Sequence, residues 1–167
     1  MSKILNDYDK ALHDKIHKGM LSENPANLLN HKRLKILDRV QDHLGNIKGT
    51  VADIGCGNAY FSIGLAKKFI DVERVDAIEA SDVAINSVIP RNTNFYEVQD
   101  KVHPLLGSFD ELTENKYNFL FSISSLHHSR NLSTTMKSIF SGIKEDGYLI
   151  ALEPTMPDIT THADYNF

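Results

Sequence analysis

The period of the apolar positions changes near residue 50. Upstream, Tyr8, Leu12, Ile16 and Met20 recur at four-residue intervals, and Leu34, Leu37, Val40 and Leu44 make a second stripe. Such spacing collects apolar side chains on one helical face, so amphipathic helices are predicted over residues 4–20 and 31–44. SENPANLLN between them, with Pro25 and its asparagines, reads as a flexible linker, and Gly45 as the stop of the second helix. Downstream, apolar runs of strand length fall at 50–54, 74–79, 101–107, 117–124 and 147–153. Helical stretches separate them at 59–70, 82 to about 89 and 132–143, the first carrying Phe61, Leu65 and Phe69 at spacings of four. Pro90 is expected to end or kink the second of these helices. Strand, helix and strand in repetition imply parallel pairing through right-handed crossovers. The fold class is therefore α/β: a three-layer sandwich on a doubly wound, mostly parallel sheet, preceded by N-terminal helices.

Composition narrows this little further. A chain of 167 residues buries one good core, and 41% hydrophobic with 24% charged residues is ordinary for a folded domain. The net charge of -4 supplies no electrostatic reason for a nucleic-acid partner. Cys56, the single cysteine, has no partner for an internal disulfide and reads as a small buried residue in a turn. No apolar run approaches the roughly 18 residues of a membrane helix, and the amino terminus lacks a signal-peptide pattern, so no membrane partner and a cytoplasmic location are expected.

The chemistry is concentrated in TVADIGCGNAYF, residues 50–61. Gly55 and Gly57 let the chain turn with positive φ and let a ligand approach the backbone, while the helix behind them offers N–H groups to an anion. Asp53 either contacts a ligand or bonds the turn and the following helix. A dinucleotide fingerprint needs a third glycine where Tyr60 stands, which weakens a nucleotide-cofactor oxidoreductase.

The D-x-G-x-G spacing of Asp53, Gly55 and Gly57 instead resembles motif I of the class I S-adenosylmethionine-dependent methyltransferases. That resemblance implies a Rossmann-like methyltransferase fold whose glycine turn, with Cys56 inside it, holds the methionine part of S-adenosylmethionine. Glu79 ends the second strand 22 positions past Gly57, where the family places the carboxylate that grips the ribose hydroxyls. Ala80 and Ser81 then edge the adenine. LLGSFDEL resembles the segment after strand three, with Ser108 in place of the usual aspartate and Phe109 stacking on the base. FLFSISSLHHSRN looks like strand four and its turn, which brings Ser124 to the cofactor, and GIKEDGYLIALEP looks like the link into strand five.

By the same resemblance the reaction is methyl transfer, with S-adenosylhomocysteine as product and no metal required. His127 and His128 are the candidate proton acceptors, of which at most one faces the methyl group. Tyr60 either faces the sulfonium or substrate through its ring or simply packs. SISSLHH differs from the N-P-P-Y turn used on adenine amines and glutamine, which favours a small-molecule acceptor over DNA or protein. Residues 1–49 are expected to form a helical lid, 50–154 the cofactor domain and 155–167 a tail that is incomplete beside the family's further helix and strands. A fragment, a natural short form, or an oligomer or partner covering the strand-five edge would account for that. The competing class is a non-catalytic module that binds S-adenosylmethionine or S-adenosylhomocysteine.

Overall fold

A computed structural model describes residues 7–154, so the expected tail and the first six residues lie outside the described residues. Five strands form one sheet: β1 (Gly49–Ile54), β2 (Val72–Glu79), β3 (Val102–Leu106), β4 (Tyr117–Ile123) and β5 (Ile143–Leu152). Their order is β3-β2-β1-β4-β5 and every pairing is parallel. The chain winds outward from β1 to β3, then returns to the other side of β1 with β4. Between β1 and β4 the strand order reverses, and there the carboxyl ends of open parallel sheets leave a crevice.

Alternation along the strands sends side chains to two cores. Val51, Val75, Phe119 and Phe121 face α2 (Ile36–Leu44), α3 (Tyr60–Lys68) and α4 (Ile89–Tyr96), which contribute Leu37, Val40, Phe61, Leu65 and Ile89. Phe61 meets Phe121 with ring centroids 5.2 Å apart. Burying each such ring contributes about 1.5–3 kcal/mol. Ala52, Ile54, Ile78 and Leu120 face the opposite way, towards Ile139 of α5 (Leu132–Gly142), with Leu112. The expected three-layer α/β sandwich is therefore present, and no described helix is long and apolar enough to cross a membrane.

The differences from expectation have local causes. The supposed linker contains a 3-10 helix, Pro25–Asn30, capped by Asn24, whose side chain accepts from the Ala26 N–H, and Leu28 anchors it in the core. Residues Lys32–Lys35 are also 3-10, so α2 starts at Ile36. Pro90 does not end its helix. A π-turn over Ala84–Val88, closed by Ile89 N–H to Ala84 O, widens the backbone ahead of the proline ring, and the helix continues to Tyr96. β5 starts earlier than predicted because a bulge absorbs the polar KEDG stretch: pairing moves from Tyr117↔Ile143 to Phe119↔Tyr148. A Cβ on Gly147 would lie 2.8 Å from the Tyr117 carbonyl oxygen, so the bulge requires glycine there.

Candidate functional site

The turn after β1 is built by packing as much as by glycine's freedom. Gly55 has φ +69°, and a Cβ there would stand 2.4 Å from Ser125 Cβ. Ser125 fills that space because its hydroxyl donates to the Ile54 carbonyl at 2.6 Å. Gly57, at φ +56°, has open room, with His17 Nε2 nearest at 3.9 Å from an added Cβ. The turn's own N–H groups are used internally. Those of Gly55 and Cys56 donate to Ile78 O at 2.9 and 3.1 Å, and that of Gly57 to Glu79 Oε2 at 3.0 Å. Cys56 is buried, and burial raises its thiol pKa well above the ordinary value, which disfavours the thiolate.

Glu79 completes this knot. Its Oε1 accepts from the N–H groups of Ala80 at 2.8 Å and Ser81 at 3.2 Å, and the side chain is buried. Ser81 turns its hydroxyl to Asp14 at 2.6 Å and accepts from Ala84 N–H, so its side chain is committed within the chain. Asp53 bonds Ser62 of α3 at 2.6 Å and joins strand to helix. Burial pushes its carboxyl up to about 6, against the hydrogen bonds from Ser62, with the charge of Glu79 adding to the rise. The loop after β3 lies alongside: Gly107 N–H donates to Glu79 O at 3.1 Å. In that loop Ser108 Oγ accepts from Asp110 N–H, and Phe109 packs on the core that contains Ile54 and Ile78.

A second carboxylate, missed in the sequence, organises the turn after β4. Glu153 Oε1 accepts from Ser125 N–H, Leu126 N–H and Ser122 Oγ, each at 2.9 Å, and Oε2 pairs with His127 Nδ1 at 2.8 Å. Burial alone would raise the Glu153 carboxyl, but these bonds together hold it below its ordinary value. Ser124, at φ +57°, donates its N–H to Leu152 O at 2.7 Å. His128 stands 4.1 Å from the His127 ring and 5.7 Å from that of His13. Burial first, then these two imidazoles, lower its pKa. Tyr60 meets His31 at a tilt with ring centroids 4.2 Å apart, burial raises its phenol, and it lines a cavity of about 350 Å³ with Asn24, Asn27, Leu28 and Asn58.

Across the strand tips lies α1 (Asp7–Met20). Its end is held by Arg91, whose guanidinium donates to Met20 O at 3.2 Å and to Leu21 O, and which also bonds Asn92. Asn92 in turn donates to Asn58 O at 2.9 Å, beside the glycine turn. Docked in this way, α1 brings His13 and His17 to Glu79, with one donor atom from each of the three within 4.8 Å of the others. The sequence signal for that pair is their separation of four on a helix. The structure thus unites Gly57, Glu79, Ala80 and Ser81 at one point and His127 with His128 at the next turn. Tyr60 is engaged elsewhere, with His31.

Similarity to known proteins agrees with this geometry. Residues 23–165 match the family described as "Methyltransferase domain". The malonyl-[acyl-carrier protein] O-methyltransferase of Priestia megaterium is 25% identical over 117 residues, covering 70% of this chain and 40% of that protein. The tRNA U34 carboxymethyltransferase of a Sulfurovum species is 29% identical over 107 residues, 63% of this chain and 34% of that one. The chain spans less than half the length of the curated relatives it matches. A solved structure from Methanococcus maripaludis, assigned as an S-adenosyl-L-methionine-dependent methyltransferase, superposes with a TM-score of 0.69 at 21% identity, covering 90% of this chain and 67% of that one. The chain belongs to the methyltransferase-domain family and has the class I fold of S-adenosylmethionine-dependent methyltransferases.

Proposed function

We propose that this chain binds S-adenosylmethionine across the tips of β1 and β2 and transfers its methyl group to a small-molecule acceptor. One observation carries the reading: Gly57 and Glu79, 22 residues apart in sequence, are joined by a 3.0 Å hydrogen bond at the carboxyl edge of adjacent parallel strands. The residues present fit the cofactor. Gly57 has no Cβ to obstruct the approach, and Glu79 retains lone pairs beyond its three N–H donors for the ribose hydroxyls. The loop carrying Ser108 and Phe109 borders Glu79 on the adenine side. When bound, the sulfonium supplies an activated methyl and its own leaving group.

The protein's share is alignment, exclusion of water and a proton sink. His128 is the better acceptor of the two histidines. Its lowered pKa leaves it neutral at pH 7, whereas His127 is engaged with Glu153. Residues 1–49 act as the lid. Since His13 and His17 occupy the space over Glu79, admission of the cofactor requires α1 to lift from the tips. The cavity beside Tyr60 and Asn58 is the natural place for the acceptor. A net charge of -4 favours a small molecule over tRNA, the substrate named for one relative.

Calorimetry with S-adenosylhomocysteine and with NAD tests the cofactor class: a micromolar dissociation constant for the first and none for the second is expected. Labelled methyl transfer to a metabolite panel, with tRNA in parallel, tests the acceptor. Transfer to tRNA alone would overturn the small-molecule assignment, and binding without any transfer would point to a non-catalytic module.

A further inference from the structure

We propose that His13, His17 and Glu79 form a site for a divalent transition-metal ion of the zinc type, which pins α1 across the strand tips and shuts the cofactor crevice. The metal site stands on its own geometry. Its effect on the cofactor rests on Glu79 being the ribose carboxylate.

The donors come from two elements far apart in the chain. Residues four apart on a helix project from one face, so α1 presents two imidazoles in the same direction. β2 ends beneath them with the carboxylate of Glu79, and one donor from each lies within 4.8 Å of the others. Zinc bonds of about 2.0–2.2 Å in a tetrahedral shell place donors roughly 3.4 Å apart, so modest side-chain rotations close the shell.

His17 supplies the independent sign. It is only 4% exposed, and its Nδ1 has no hydrogen-bond partner among the described residues. A buried nitrogen left in that state costs about 1–3 kcal/mol, a penalty that coordination through Nδ1 itself removes. Glu79 is already oriented by three backbone N–H groups, and the 2.6 Å bond from Ser81 to Asp14 ties α1 to the strand end next to it. Two imidazoles and one carboxylate select zinc and its transition-metal neighbours over magnesium or calcium, which prefer all-oxygen shells, and they leave a fourth position for water.

The consequence is a choice at one carboxylate. With metal bound, Glu79 bridges to α1 and the imidazoles stay over Glu79. With cofactor bound, Glu79 takes the sugar and α1 must be lifted. Zinc and S-adenosylhomocysteine therefore exclude one another.

The test uses the whole chain, freed of metal and titrated with Zn²⁺ against a chromophoric chelator, with Mg²⁺ in parallel. One zinc per chain is expected, with no displacement by magnesium. Outer-shell partners alone are worth about 10–100-fold in metal affinity, so His13→Ala and His17→Ala should each weaken zinc by at least that much. His43→Ala, on the exposed side of α2, should change nothing. A His13→Gln/His17→Gln double variant guards against unfolding: it should melt as a cooperative unit without metal, while zinc raises the melting temperature of the wild type only. Zinc held equally by the wild type and both single variants, or not at all, overturns the site. Added zinc should weaken S-adenosylhomocysteine binding at least tenfold in the wild type and not in the double variant. Zinc bound through both histidines with unchanged S-adenosylhomocysteine affinity overturns the closing role. Failure of S-adenosylhomocysteine to bind even without metal removes the cofactor assignment and leaves the zinc result intact.

Discussion

Glu79 ends β2 and Glu153 directly follows β5 in the same sheet, and each accepts N–H groups from a turn beside it, yet their surroundings differ. Around Glu153 both oxygens are met by the turn they organise: Ser122, Ser125 and Leu126 on one, His127 on the other. Glu79 is more deeply buried, faces two imidazoles of α1, and among the described residues has only backbone N–H donors. Hydrogen bonding to a turn therefore does not separate the two carboxylates. The neighbouring His17 does, because its buried Nδ1 has no hydrogen-bond partner among the described residues.

The largest expected effect breaks the comparison at Glu79. Replacing it with alanine removes paired, charge-assisted bonds to the ribose, a loss of about 3–6 kcal/mol in S-adenosylhomocysteine binding by calorimetry. Unchanged affinity would refute the ribose assignment. Next comes Asp53, buried between the two sites. Its carboxyl rises from 3.8 to about 6 on folding, so the stability it contributes is complete below 3.8 and is lost as pH rises through 6. Asp53→Asn should accordingly stabilise the protein by up to about 3 kcal/mol at pH 8 in urea unfolding, with the gain gone at pH 3.5.

Glu153 has the opposite sign. Its pKa is lowered on folding, so its contribution is present above the ordinary value of 4.5 and lost as pH falls through the lower folded value. Glu153→Gln should cost about 2 kcal/mol at pH 7, with the deficit shrinking in acid, and should alter S-adenosylhomocysteine affinity less than any change at Glu79. The smallest effect is at His127, whose ring is exposed. His127→Asn should cost no more than about 1 kcal/mol, because it removes one solvent-screened partner and leaves three on the other oxygen. A larger loss would show that the histidine, not the turn, holds Glu153 in place.

Much of this fold was legible because its signals are local. Phe61, Leu65 and Phe69 state a helix by spacing, and the runs at 50–54 and 117–124 state strands by length and apolarity. The reading erred where a neighbour outweighed a local rule. Pro90 sits inside a helix because a π-turn makes room, and the segment after Asn24 is ordered because Leu28 is buried. Among the candidate site residues, Gly57 and Glu79 were recognisable by their separation along the chain. Ser125, Arg91 and Glu153 carry no such mark, since their roles exist only through partners far away in sequence.

By itself the sequence determined the alternation of strand and helix, the glycine turn and the acid at the end of β2, since periodicity, backbone freedom and short spacings need no distant contact. Tertiary structure alone decided that the turn's N–H groups are consumed internally, that Glu153 governs the second turn, and that α1 lays two histidines over Glu79. Those outcomes depend on how helices dock on the sheet, and docking is settled by packing summed over the whole core rather than by any single stretch of chain.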